Sequence, residues 1–141
     1  PNTGFYLLAD QMLLPERGAD GSISDEGLGA FAGLGFTPPG RNVVDFYLNT
    51  GVTYKGLIPG RDADTCGLAC GLASPSHGAD ADLREEGLAP QAAEIVLEAT
   101  YQCVIAPWCI VQPDIQYVIN PGATSATGNA LVLGARFSVV F

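Results

Sequence analysis

A two-residue alternation of apolar and polar side chains limits the fold of this chain more than any other feature of the sequence. From Val43 to Lys55, one set of alternate positions is apolar: Val44, Phe46, Leu48, Val52 and Tyr54. The positions between them are Asp45, Tyr47, Asn49, Gly51, Thr53 and Lys55. Successive side chains of a β-strand point to opposite faces, whereas a helix repeats every 3.6 residues. The segment is therefore predicted to be a strand with one apolar and one polar face.

Six further segments show a similar pattern and bring the predicted number of strands to seven. They are Gly4 to Leu14, Leu28 to Thr37, Thr65 to Ala73, Glu94 to Ile105, Cys109 to Ile119 and a last strand whose apolar positions run from Leu131 to Phe141. Segments rich in glycine, proline and aspartate separate them. Only the acid-rich stretch "DADLREEGLA" is compatible with a helical turn or two. The predicted fold class is all-β and antiparallel.

Composition excludes several classes of protein. The chain has 141 residues, 48% of them hydrophobic, so it is not expected to be disordered. Its net charge is −9 with six basic residues, which argues against binding to nucleic acid because phosphates require clustered Lys and Arg. No apolar run reaches the roughly 20 residues of a membrane-spanning helix. The first residues do not resemble a signal peptide, so we expect the sequence to begin within a longer protein.

Two environments suit two-faced strands. In a soluble sandwich the apolar face is the protein core, whereas in an outer-membrane barrel it meets lipid and the polar face lines a wet lumen. Three features favour the barrel: strands about as long as tilted membrane strands, polar faces with charges of both signs, and aromatic residues towards the strand ends. The aromatic residues are Phe5, Phe36, Tyr54, Trp108 and Phe141.

Long stretches of the sequence resemble one known family. They are "GFYLLADQ", "GLGAFAGLGFTPPGRNVVDFYLNTGVTYKGLIPGRDAD", "LEATYQ", "APW", "QPDIQYVINPG" and "NALVLGARFSVVF". Together they are similar to the C-terminal part of the carbohydrate-selective porins of the OprB type. The resemblance implies a sixteen-stranded transmembrane β-barrel in the outer membrane of a Gram-negative-type bacterium, which passes monosaccharides, glucose above all, by facilitated diffusion. Residues 1–141 would then be about the last seven strands of a single barrel domain.

Under this interpretation, the polar faces supply the residues that contact the sugar. The lumen-facing candidates are Asp45, Tyr47, Asn49, Lys55, Glu94, Glu98, Gln102, Gln112, Asp114, Gln116 and Arg136. Carboxylates, amides and a guanidinium all bond hydroxyl groups. The competing interpretation for each charged residue is cross-strand pairing that stiffens the wall.

The resemblance also implies partners and a role for the end of the chain. Phe141, supported by Phe137 and Val139, resembles the terminal aromatic signal that the barrel assembly machinery reads. The expected partners are monosaccharides, outer-membrane lipids and that machinery, and homo-oligomers are common among porins. With a periplasmic C-terminus, residues 37–42, 74–91 and 120–128 would lie outside the cell, and the "GLIPGRDAD" and "APW" turns would lie in the periplasm.

No catalytic, cofactor or metal site is predicted. Glu94 and Glu98 lie about 13 Å apart along one strand, beyond the roughly 6.5–9.5 Å of an inverting glycosidase pair. His77 has no recognisable nucleophile as a partner. Cys66, Cys70, Cys103 and Cys109 have no zinc-knuckle spacing and are all predicted on the apolar face. Cys103 and Cys109 could approach each other across a hairpin, whereas Cys66 and Cys70 are too far apart along their strand to pair.

Two other functions stay open on the sequence alone. A soluble or periplasmic β-sheet module could bind a ligand with the apolar face as its core. A structural barrel with a blocked lumen would insert into the membrane without conducting.

Overall fold

The computed structural model describes residues 2–18, 20–39, 42–76 and 91–141. These residues form seven strands: β1 (Phe5–Arg17), β2 (Ile23–Phe36), β3 (Val44–Lys55), β4 (Thr65–Pro75), β5 (Glu94–Ala106), β6 (Cys109–Ile119) and β7 (Ala130–Val139). A short 3₁₀ helix, Pro121–Ala123, lies between β6 and β7. Within the described ranges, no helix has the length and apolar character needed to cross a bilayer.

All seven strands belong to one sheet in which each strand pairs antiparallel with the next along the chain. The seven predicted strands and the antiparallel all-β fold are confirmed. An eleven-residue strand tilted by about 45° rises about 26 Å, which matches the apolar band of about 25 Å on outer-membrane barrels.

The strand bounds differ most in the first hairpin. β1 continues to Arg17, three residues beyond its predicted end, and β2 begins at Ile23, five residues before its predicted start. The additional residues are mostly polar, so the sequence shows no alternation of apolar and polar residues there although the strands are paired. The ladder also contains an irregularity between Met12 and Leu14, where β1 carries one more residue than β2. Such a bulge exchanges the faces of the residues that follow it, which hides the period.

Cross-strand pairing assigns each residue to a face of the sheet. The row Leu34, Leu48, Leu72, Ile95 and Ile119 crosses five strands in register and is apolar throughout. Side chains such as Leu68, Leu133 and Phe137 on this apolar face are 60%, 74% and 73% exposed. Among the described residues, no hydrophobic side chain is buried. The described sheet is therefore a single layer without a second sheet against its apolar face, which does not support a sandwich core.

The connections alternate between the two ends of the sheet because the strands run up and down in sequence order. The β2–β3, β4–β5 and β6–β7 connections lie at one end, and the β3–β4 and β5–β6 connections lie at the other. The acid-rich segment and His77 fall in 77–90, outside the described residues.

Aromatic side chains lie towards both ends of the apolar face. Phe5, Phe36 and Phe46 form one cross-strand row near the β2–β3 end. Tyr54 and Trp108 lie towards the opposite end, and Trp108 is 58% exposed. This arrangement matches two aromatic girdles.

Candidate functional site: the polar face of the sheet

The polar face of the sheet carries carboxylate, amide and hydroxyl side chains, which are aligned in cross-strand rows. One row contains Gly51, Ala69, Glu98 and Gln116, and the next contains Asn49, Gly71 and Val96. A third row joins Tyr47 and Glu94 through Ala73. The structure therefore brings Tyr47, Asn49, Glu94, Glu98 and Gln116 together on one side of the sheet.

Glu98 and Gln116 occupy paired positions on β5 and β6. The Gln116 amide Nε2 donates a 2.8 Å hydrogen bond to Oε2 of Glu98. Glu94 is held differently, because its Oε2 accepts a 2.6 Å bond from the backbone N–H of Gly122. Each carboxylate is thus positioned through one oxygen, and its other oxygen accepts no hydrogen bond from the described part of the chain.

A second polar group lies nearer the β5–β6 turn. Gln112 Nε2 donates to Thr100 Oγ1 at 3.0 Å, and that hydroxyl donates to the carbonyl of Pro113 at 3.1 Å. Asp114 lies opposite Gly134, where a Cβ would fall 2.4 Å from Asp114 Oδ1. Glycine at this position therefore leaves room for the carboxylate.

Lys55 and Asp45 are less available than the sequence suggests. The Lys55 ammonium pairs with the Asp25 carboxylate of β2. Asp45 lies at a register shift between Val44 and Phe46, and only 8% of it is exposed. Lys55 lies in a cross-strand row with Thr65 and Gln102. Arg136 is exposed and lies opposite Gln112.

Phe31 is a residue of this face that sequence reasoning missed. Its strand carries glycine at the neighbouring same-face positions 27, 29, 33 and 35. A Cβ on Gly51 would fall 2.6 Å from Phe31 Cζ, so the ring lies over Gly51 on the adjacent strand. The signal in the sequence is one aromatic residue in a run of alternate glycines.

The β3–β4 turn contains a cluster that the sequence reasoning treated only as a turn. Arg61 donates two hydrogen bonds to Asp64, from Nε at 2.6 Å and from Nη2 at 3.0 Å. Asp64 is 3% exposed and also accepts bonds from the Tyr101 hydroxyl and the Val104 N–H. Arg61 Nη2 further contacts Sγ of Cys103 at 2.8 Å. The cluster fastens this turn to the end of β5.

The electrostatics of the cluster favour its charged form. Burial alone would raise the pKa of Asp64, but hydrogen bonds from Tyr101, Val104 N–H and Arg61, together with the Arg61 charge, lower this pKa below its ordinary 3.8. The Asp64 carboxylate in turn raises the pKa of Arg61. Asp64 is therefore ionised over the whole physiological range.

All four cysteines lie on the apolar face, as predicted, and all four are free thiols. Cys66 pairs in register with Tyr54, Cys70 with Leu97, Cys103 with Val111 and Cys109 with Val139. Cys103 and Cys109 therefore occupy diagonal rather than opposite positions and form no disulfide. Within the described ranges, no three His, Cys, Asp or Glu side chains are grouped to hold a metal ion.

The end of the chain lies beside the β5–β6 turn. Phe137 pairs with Val111, Val139 pairs with Cys109, and the Val140 N–H donates a 2.9 Å bond to the carbonyl of Trp108. Phe141 follows this last hydrogen bond and is fully exposed. A role for these residues in assembly stays a prediction.

Comparisons with known proteins agree with this geometry. The model of the family "Carbohydrate-selective porin, OprB family" matches residues 1–141. A relative named Porin B, from Pseudomonas aeruginosa, is 32% identical over 152 residues, which cover 98% of this chain and 32% of that protein. The solved "High pH structure of Pseudomonas putida OprB" superposes with a TM-score of 0.88 at 25% identity, over 99% of this chain and 36% of that one.

The chain thus spans about a third of the length of the relatives it matches. The family match covers the whole sequence, and the sheet superposes on a porin over nearly all of its length. This chain belongs to the OprB family of carbohydrate-selective porins.

Proposed function

We propose that this chain forms part of the wall of an outer-membrane pore through which neutral monosaccharides such as glucose diffuse. The observation that carries the proposal is the division of a single-layer sheet into two faces. One face exposes large apolar side chains, and the other carries carboxylates, amides and aromatic rings. Lipid would cover the apolar side chains of the first face, and the water of a lumen would solvate the polar side chains of the second.

In this proposal the polar face serves passage rather than chemistry. A diffusion channel requires groups that replace some of the bonds between a sugar and water, but bind weakly enough for the sugar to leave. Glu94 and Glu98 each present one oxygen that is not bonded within the described chain, and the Asn49 side chain lies between their rows. Lys55 and Asp45 contribute mainly to the wall, because one is paired and the other is buried.

The proposal includes a place in the cell and in a larger assembly. Residues 1–141 would be the C-terminal part of one barrel domain of sixteen strands in the outer membrane. Outer-membrane lipids would cover the apolar face. Phe141, with Phe137 and Val139, would be the segment recognised by the barrel assembly machinery.

Liposome swelling with the full-length protein tests the function. We expect liposomes that contain the protein to swell faster in isosmotic glucose than in an isosmotic disaccharide. Equal swelling rates would indicate a general pore without selectivity. Membrane insertion without sugar uptake or conductance would indicate a blocked barrel and contradict the proposal. A protein that stays folded and monomeric without detergent or lipid would instead support the ligand-binding module.

A further inference from the structure

A groove runs along β4 on the polar face. Four successive β4 residues on this face are small: Gly67, Ala69, Gly71 and Ala73. The flanking strands carry larger side chains, Tyr47 and Asn49 on β3 and Glu94, Val96 and Glu98 on β5. Neighbouring strands lie about 4.8 Å apart, so β3 and β5 are about 10 Å apart across β4. The resulting concavity has a volume of about 320 Å³.

The floor of this groove is open space. A Cβ on Gly71 would meet no atom of the described chain within 4 Å. A Cβ on Gly51, one strand away, would in contrast meet the Phe31 ring and the Leu68 carbonyl oxygen at 2.6 and 2.5 Å. The side chains from β2, β3 and β5 therefore enclose the groove without filling the space above Gly71.

The two sides of the groove differ in chemistry. On one side, the Phe31 ring extends over Gly51 and provides an apolar surface. On the other side, Glu98 lies in the same cross-strand row, and Gln116 holds its carboxylate through Oε2. Asn49 lies in the adjacent row and also lines the groove, but its Oδ1 is buried beside Gly33 of β2, where a Cβ would fall 2.3 Å from it. An apolar surface with a few fixed polar groups is typical of sites for small molecules.

From this geometry we propose that the β4 groove is a binding site for one neutral sugar ring at a time. The C–H face of the ring packs on Phe31 above Ala69 and Gly71, and its hydroxyl groups donate to Glu98 and accept from Nδ2 of Asn49. Two cross-strand rows further along β4, Tyr47 and Glu94 lie on either side of Ala73 and again place an aromatic ring opposite a carboxylate. The inference rests on the proposed sugar-channel function and adds the position and charge preference of the site.

The charge of the groove sets its selectivity. Glu94 and Glu98 both line it, and none of the basic side chains in the described ranges does. An anionic sugar such as glucuronate would bring a third negative charge into this space, where like charges repel. Neutral hexoses should therefore bind in preference to sugar acids of the same size.

The test is sugar block of ion conductance through the full-length protein in planar bilayers. The half-blocking concentration of glucose is measured for the wild type and for three variants, Phe31→Leu, Glu98→Gln and Gly71→Val. The conductance in glucose is divided by the sugar-free KCl conductance of the same variant. Because a neutral amide is a weaker acceptor than a carboxylate, Glu98→Gln should raise the half-blocking concentration about tenfold. Phe31→Leu, which loses the flat ring, and Gly71→Val, which fills the floor, should also raise it.

Ala130→Val is the matched control because it adds volume to the same face three strands away from β4. It should leave the half-blocking concentration of glucose at its wild-type value. In the wild type, glucuronate should block only at a much higher concentration than glucose, and Glu98→Gln should narrow this difference.

The outcomes separate the site from the function. If glucose neither blocks nor crosses the wild-type pore, the proposed function fails. If glucose blocks the wild type but Phe31→Leu and Glu98→Gln behave like the control, the pore passes sugar and the groove site is wrong. Equal block by glucose and glucuronate would overturn the charge preference. Phe31→Leu and Glu98→Gln keep the test decisive should Gly71→Val fail to fold.

Discussion

The hydroxyl of Tyr101 donates a 2.5 Å hydrogen bond to Oδ2 of Asp64 and thereby joins the end of β5 to the turn between β3 and β4. The same carboxylate receives Arg61 and the Val104 N–H. Asp64 is therefore the centre of a contact between elements that are about 40 residues apart in sequence.

Asp64→Asn should destabilise this end of the sheet. The amide cannot accept all the hydrogen bonds that the carboxylate accepts, and Arg61 loses the charge that it faces. We expect the thermal unfolding midpoint of the full-length protein in detergent to fall by several degrees. Asp62→Asn removes an exposed charge from the same turn and should leave the midpoint nearly unchanged. Equal shifts for both variants would show that the cluster contributes nothing specific.

Acid should weaken the same contact. Because the pKa of Asp64 is lower in the folded state than its ordinary 3.8, the unfolded chain binds the proton more readily. The stabilisation is complete above about pH 3.8 and is lost as pH falls through the lower folded value. The difference in unfolding midpoint between the wild type and Asp64→Asn should therefore shrink below that pH. A difference that stays constant down to pH 2 would contradict the assignment.

Gly27→Ala should be strongly destabilising. Gly27 has φ of +122°, and a Cβ there would lie 2.2 Å from the carbonyl oxygen of Leu14. Both backbone strain and the clash oppose the substitution, so the free energy of unfolding should fall by at least about 2 kcal/mol. Gly71→Ala, which meets no neighbour, is the control and should cost far less. The measurement is urea unfolding of the full-length protein in lipid vesicles.

The reactivity of the Cys70 thiol should show whether lipid or water covers the apolar face. Cys70 lies in the middle of β4, on the face where it pairs with Thr50 and Leu97. In liposomes that hold a full-length variant with Cys70 as its sole cysteine, we expect a lipid-soluble maleimide to react with it. A membrane-impermeant maleimide should react at least about tenfold more slowly, because lipid excludes this polar reagent. Rapid reaction with the impermeant reagent would place this face in water.

Much of the sheet could be predicted because a strand with two environments leaves a period of two in its sequence. The alternation in β3 predicted both of its ends to within one residue. It failed in the first hairpin, where residues 23–26 are mostly polar and a bulge shifts the period of β1. The two strands of this hairpin are still paired there, but the sequence has no hydrophobic pattern from which the pairing could be predicted.

Most residues of the polar face could be predicted from the alternation, but the position of Phe31 and the shape of the face could not. The same alternation that marks Leu48 as apolar places Asn49 on the other side. The groove depends on something else, namely which residues of different strands lie opposite one another. Gly71 is one glycine among 18 until its register shows Asn49 and Val96 on either side of it. The Asp64 cluster was missed for a similar reason, since Tyr101 and Asp64 meet only once β4 and β5 are paired.

The number of strands in the described sheet limits how a barrel can close around it. Seven strands that alternate in direction leave β1 and β7 running the same way. If these two edges were joined directly, the closing pair would be parallel, unlike every other pair in the sheet. A ring that is antiparallel throughout needs an even total, so in the proposed barrel the strands outside this sheet would be odd in number. For a ring of sixteen, that number would be nine.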